Sequence, residues 1–132
     1  MGKPLRKEHE EPLGGKMVWV VEDDEPIARC LQMLLQDEGY SVDVASTLDD
    51  ARALTSKPEL VLLDYLLPDG NGIAYLPELA GRHPGVPVIL LTALERVGKS
   101  SFPNHVTYLA KPFRNRDLIE LVNSHFAAKA GA

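Results

Sequence analysis

The stretch Glu59-Leu60-Val61-Leu62-Leu63-Asp64-Tyr65-Leu66-Leu67-Pro68-Asp69-Gly70 constrains this chain most, because an apolar run ends abruptly in a carboxylate and then in a turn. Bounded by Pro58 on one side and Pro68-Asp69-Gly70 on the other, the run reads as a strand buried on both faces, the kind found in parallel sheets. Asp64 stands at its carboxyl end, the edge of an open α/β sheet where ligands bind. A side chain that merely caps the following turn is the other reading of that position.

The rest of the chain repeats the pattern. Met17-Val18-Trp19-Val20-Val21 is a continuous, partly β-branched run that reads as the first strand. It ends in the four acids Glu22 to Glu25. A helix follows, capped by Asp24, with Pro26 in its first turn, an apolar stripe of Ile27, Leu31, Leu34 and Leu35, and Gly39 as its stop. Ser41 to Ala45 alternates and predicts a shorter, edge-like strand. Ser46 with Asp49 resembles a capping box for a short helix through Thr55 that turns Leu48, Ala51 and Leu54 inward.

After the central strand, Pro68 to Gly72 is a loop by composition. Ile73, Leu76, Leu79 and Ala80 then have helical spacing, and Pro77 requires that this helix start late or bend. Val86 to Leu91 is the fourth strand, closing on Thr92-Ala93. Residues 94–106 have no apolar period and leave room for one short or degenerate helix. Val106 to Ala110 is the fifth strand, ending in Lys111-Pro112-Phe113. Asn115 can cap a last helix that buries Leu118, Ile119, Leu121, Val122 and Phe126. This alternation predicts a single doubly wound parallel sheet with helices on both faces, spanning 16–127. Residues 1–15, too polar to offset the entropy of ordering, are expected to form a disordered arm, and 128–132 a featureless tail.

Composition narrows the function. At 132 residues with 45% hydrophobic and 25% charged side chains, the chain fits one core, and its net charge of −5 offers no basic stripe for nucleic acid. A single cysteine, Cys30, suits a reducing cytoplasm, and no apolar run reaches membrane-spanning length. The four histidines at 9, 83, 105 and 125 lack zinc-site spacing. Gly98-Lys99-Ser100 echoes the end of a phosphate-binding loop, but Ala93 stands where the first glycine belongs.

The residues that end the buried strands carry the chemistry: Glu22-Asp23 after the first, Asp64 after the third, Thr92 after the fourth and Lys111 after the fifth. In a doubly wound sheet these ends lie side by side and converge on one crevice. Clustered carboxylates repel one another unless a cation sits among them, and Mg²⁺ suits an oxygen-only site that keeps room for a phosphate oxygen. Lys111 and Thr92 suit a tetrahedral anion, and an Asp carboxylate can attack phosphorus to give an acyl phosphate.

Val20 to Ile27, Leu62 to Gly72, Pro87 to Ala93 and Tyr108 to Phe113 together resemble, in order, the four motifs of the receiver domain of bacterial two-component response regulators. The resemblance runs from about Met17 to Phe126. It implies a flavodoxin-like sheet of strand order 2-1-3-4-5 and a phosphoryl group accepted on Asp64 from a sensor histidine kinase or histidine phosphotransfer protein. It also implies Mg²⁺ held by Glu22, Asp23, Asp64 and the Leu66 backbone carbonyl, with Asp24 left as a helix cap. Thr92 and Ala93 would bind the phosphoryl group, Lys111 would pair with it, Tyr108 would turn inward, and Pro112 would follow a cis peptide. Leu66 and Leu94, two residues past Asp64 and Thr92, would shield the acyl phosphate from water.

Between Thr92 and Tyr108 the chain is shorter than the family pattern. That departure implies an altered signalling face without the standard dimer. A haloacid-dehalogenase-like phosphohydrolase would also use an Asp, Mg²⁺ and a Lys, but it wants a second acid where Leu66 stands. A flavodoxin-like cofactor binder would share the fold without explaining the acids.

Overall fold

The computed structural model describes residues 15–93 and 105–131. Residues 1–14 of the expected arm, and residues 94–104 of the expected fourth-helix region with Leu94, Gly98-Lys99-Ser100 and its signalling face, therefore lie outside the described residues.

Strands β1 (Met17–Val21), β2 (Ser41–Ala45), β3 (Leu60–Asp64), β6 (Val88–Thr92) and β7 (Val106–Ala110) form one parallel sheet of order β2-β1-β3-β6-β7. This is the order 2-1-3-4-5 expected. Helices α1 (Glu25–Asp37), α2 (Leu48–Ala53), α3 (Gly72–Arg82) and α4 (Asn115–Gly131) cover it. β2 is an edge strand but matches β1 in length, five residues each.

Side-chain alternation builds two cores from one sheet. Trp19, Val21, Val61, Leu63, Val88 and Leu90 pack with Leu48 and Ala51 of α2 and Tyr75, Leu76 and Leu79 of α3. Val18, Val20, Leu60, Leu62, Ile89 and Leu91 pack with Leu31 and Leu35 of α1 and Leu118, Val122 and Phe126 of α4. Leu60 through Leu63 have no exposed surface, which is why that run shows no polar alternation. Burying each such leucine is worth roughly 1.5–3 kcal/mol, so the central strand fixes the sheet.

Several helix ends differ from the sequence expectation. α2 is capped by Thr47, not Ser46: the Thr47 hydroxyl accepts the Asp50 N–H at 2.9 Å, while Ser46 donates to the Asp50 carboxylate. The same spacing occurs one residue earlier, so local pattern could not decide between them. The helix ends at Ala53 because Leu54 is extended.

Residues 68–72 are not all loop. Leu66–Leu67 (β4) and Gly70–Asn71 (β5) form a small antiparallel hairpin around Pro68 and Asp69. α3 then starts at Gly72, not late, because the Asn71 side-chain Oδ1 accepts the N–H groups of Ile73 and Ala74 at 2.7 and 3.3 Å. Pro77 lies inside it on the exposed side. In α4 Asn115 is already helical, and the Leu118 N–H bonds the Arg114 carbonyl, so Arg114 holds the cap position. The helix continues to Gly131, past the expected tail boundary.

Two histidines give the fold a pH dependence. Burial lowers the pKa of His125, whose Nε2 lies 3.4 Å from the Thr107 hydroxyl. Burial also lowers that of His83, helped by the charges of Arg82 and Lys57, and its ring stands T-shaped to that of Trp19. Because the folded state resists protonation, the unfolded chain binds more protons as pH falls through about 6.5. The penalty is absent above that value and complete below the folded pKa values. Urea unfolding followed from pH 7.5 to pH 5 is expected to show falling stability, with a shallower slope in His125→Gln; equal slopes would exclude a contribution from His125.

Candidate functional site

The site is assembled at the carboxyl edge of the sheet by strand register. Along β1, β3, β6 and β7 each strand ends within one residue of its neighbour, so the groups that follow them meet. Glu22 and Asp64 continue the even-numbered row of β1 and β3 that faces α1 and α4. Thr92 and Tyr108 belong to the opposite row, with Tyr108 beside Leu90.

Lys111 joins the first set. Its Nζ donates to Glu22 Oε1 at 3.0 Å and to Asp64 Oδ1 at 3.2 Å. Its backbone N–H bonds the Thr92 carbonyl at 2.7 Å, which ties the β7 end to β6, and the Lys111-Pro112 peptide is cis as expected. Glu22 is 1% exposed and Asp64 7%, whereas Asp23 is exposed. Thr92 is buried at 1% and Tyr108 half-buried. Ala93 is exposed directly after Thr92, and Leu66 lies in β4 and is 62% exposed.

One carboxylate oxygen each from Glu22, Asp23 and Asp64 lies within 4.8 Å of the others. Burial raises the Glu22 pKa; the hydrogen bonds from Lys111 and from the Asp24 N–H work against it, and Asp64 adds to it. Lys111 is raised in turn: its burial alone would lower it, but Glu22 and then Asp64 outweigh that effect. One ammonium thus pairs with two of the three clustered carboxyl groups, Glu22 and Asp64. The donor set contains only hard oxygens, with neither His nor Cys among them. A small hard divalent cation fits such a set. Asp24 stays outside, capping α1 through the Ile27 N–H at 3.2 Å.

Sequence reasoning missed three supporting residues: Asp69, Asn71 and Gly72. The Asp69 carboxylate accepts the N–H groups of Leu48 and Asp49 at 2.8 and 3.0 Å. An Asp-Gly turn signals only a turn, since a partner 21 residues away leaves no local trace. Gly72 is the other case: it donates to the Tyr65 carbonyl at 2.7 Å, and a Cβ there would stand 2.4 Å from the Asp64 carbonyl oxygen.

A doubly wound sheet with buried acids and an ammonium at its carboxyl edge is a site suited to handling phosphoryl groups. Comparison with known proteins gives the family. Residues 18–123 match the model of the response regulator receiver domain. The transcriptional regulatory protein CreB of Escherichia coli is 35% identical over 114 residues, covering 81% of this chain and 49% of that protein. KdpE of the same organism, the KDP operon transcriptional regulatory protein, is 38% identical over 101 residues, covering 73% and 44%.

Among solved structures, the CheY-like receiver domain from Methanospirillum hungatei aligns with TM-score 0.78 at 29% identity, over 88% of this chain and 97% of that one. The Thermotoga maritima response regulator TrrA, solved with Mg²⁺ and BeF, aligns with TM-score 0.73 at 31% identity, over 83% and 97%. The chain belongs to the response regulator receiver domain family. It is a phospho-accepting switch and not a phosphohydrolase. It spans about half the length of the curated relatives it matches. No helix among the described residues is long and apolar enough to cross a membrane.

Proposed function

We propose that Asp64 accepts a phosphoryl group from a sensor histidine kinase or histidine phosphotransfer protein in the cytoplasm. The observation that carries this reading is the buried Asp64 carboxylate held 3.2 Å from Lys111 beside Glu22 and Asp23. An Asp64 oxygen attacks phosphorus, the bond to the donor's imidazole nitrogen breaks, and that nitrogen regains a proton from water. The product is an acyl phosphate.

Glu22, Asp23, Asp64 and the Leu66 carbonyl would hold Mg²⁺, a reading supported by the oxygen-only cluster. When bound, the ion offsets the charge of the transferring oxygens. Lys111 is positioned to leave Glu22 for a phosphoryl oxygen, and Thr92 and Ala93 supply a hydroxyl and a backbone N–H. Tyr108 shares the Thr92 face, so a displaced Thr92 leaves space on the side from which the ring can turn inward. New contacts from one dianionic group then bias the β6 and β7 ends between two arrangements. The output passes to an effector, and the names of the relatives as transcriptional regulatory proteins support an output in transcription.

Incubation with acetyl phosphate and Mg²⁺ is expected to label each chain with a single phosphoryl group, followed by slow decay. Asp64→Asn should take up none, and a chelator should block labelling of the wild type. Labelling that persists in Asp64→Asn, or sustained phosphate release from an aryl phosphate, would overturn this function.

A further inference from the structure

We infer that Asp69 is a positioning residue for the cation site: its carboxylate ties the hairpin that follows Asp64 to the first turn of α2. The inference rests on the Mg²⁺ reading above. The hairpin holds Leu66, whose carbonyl belongs to the proposed ion shell, and Asp69 sits at its tip between β4 and β5.

Two contacts fix that tip. Asp69 accepts both the Leu48 and the Asp49 N–H groups. Beside it the Gly70 backbone lies so close to α2 that a Cβ would stand 2.7 Å from Leu48 Cδ1. Those two backbone bonds, the Leu48 one first, hold the Asp69 carboxyl below the usual carboxylate range. α2 is itself anchored. Its next N–H, that of Asp50, goes to Thr47, and Arg52 pairs with Asp49 at 2.6 Å and with Glu78 of α3 at 2.8 Å. The tip is therefore clamped to a helix held on two sides.

The functional consequence concerns Leu66. A two-residue hairpin tip freed from α2 lets β4 move relative to Asp64, and a carbonyl ligand needs its position fixed before the ion arrives. Partners that orient a ligand typically contribute 10- to 100-fold in metal affinity. Asp69 acts on α2 as well, so a variant could weaken the site merely by loosening that helix. Thr47 separates the two effects, because its hydroxyl caps the same helix through the Asp50 N–H.

Mg²⁺ titration by calorimetry on the full chain tests this. Asp69→Ala is expected to weaken binding roughly 10-fold, and Asp69→Asn, which keeps one acceptor, to weaken it less. Thr47→Ala should bind as wild type does, although it loosens the same helix. In the wild type, amide exchange at Leu48 and Asp49 should slow when Mg²⁺ binds, and this coupling should vanish in Asp69→Ala. Wild-type affinity in Asp69→Ala, or an equal loss in Thr47→Ala, overturns the inference alone. A wild-type chain that binds no Mg²⁺ overturns the cation site and this inference with it.

Discussion

Replacing Lys111 with Met is expected to destabilise the Mg²⁺-free domain by about 3 kcal/mol, the scale of a broken buried ion pair rather than of a surface one. Burial decides which scale applies. The Lys111 side chain is 21% exposed, Glu22 1% and Asp64 10%, so the two carboxyl groups cannot turn to water when the ammonium is removed. Met retains most of the aliphatic stem, which confines the change to the charge and its hydrogen bonds. Burial already raises the Glu22 pKa with Lys111 in place, and the variant removes the largest opposing influence.

Urea unfolding in chelator gives the stability. A second arm adds saturating Mg²⁺, which should stabilise Lys111→Met more than the wild type, because the ion then supplies the missing positive charge. A loss under about 1 kcal/mol would mean that the contact behaves as a surface pair. Equal stabilisation of both proteins by Mg²⁺ would mean that ion and ammonium do not share the same acids.

The sheet was legible because its information is local. Leu60–Leu63 and Val88–Leu91 are unbroken apolar runs between prolines, turns or polar ends, and a parallel sheet buried on both faces leaves no other place for them. The convergence of Glu22, Asp23, Asp64 and Lys111 was legible for a related reason. Once the strands are parallel and the crossovers right-handed, whatever ends them must meet.

What escaped sequence reasoning depends on partners distant in the chain. Ser46 and Thr47 both stand three residues before an acid. The choice of Thr47 goes with Asp69 reaching across to Leu48 and Asp49. Pro77 argued against a full helix over 72–82, yet Asn71 satisfies the opening N–H groups, and Pro77 sits on the side where a lost backbone bond can be replaced by water. The stripe of α1 was drawn through Leu34, which is half-buried, while Ala28 is buried. A small residue gives no hydrophobic signal until the sheet is known to lie against it.

Gly72→Ala is expected to cost about 3 kcal/mol, near the upper end for overpacking, and to slow phosphoryl uptake on Asp64 by roughly 100-fold, the effect of a displacement near 1 Å. Gly72 opens α3 immediately after the hairpin, and its N–H is committed to the Tyr65 carbonyl at 2.7 Å. A Cβ would meet the Asp64 carbonyl oxygen at 2.4 Å, with Leu63 Cγ at 3.2 Å and the Asp64 carbonyl carbon at 3.3 Å. None of these is the end of a flexible side chain. Two of the three are the backbone of the residue that carries the reacting group, itself bonded into the sheet beside Leu91.

Relief therefore requires α3 to retreat or Asp64 to shift. Retreat opens space under Tyr75, Leu76 and Leu79, and a shift misaligns the nucleophile. Gly81, in the same helix, supplies the contrast. Nothing lies within 4 Å of its Cβ position, so Gly81→Ala should stabilise by up to about 1 kcal/mol through helix propensity alone. Opposite signs for one chemical change at two ends of one helix would separate the close approach at Asp64 from any general effect of alanine. Wild-type stability together with wild-type labelling in Gly72→Ala would show that α3 does not press on the strand end that carries Asp64.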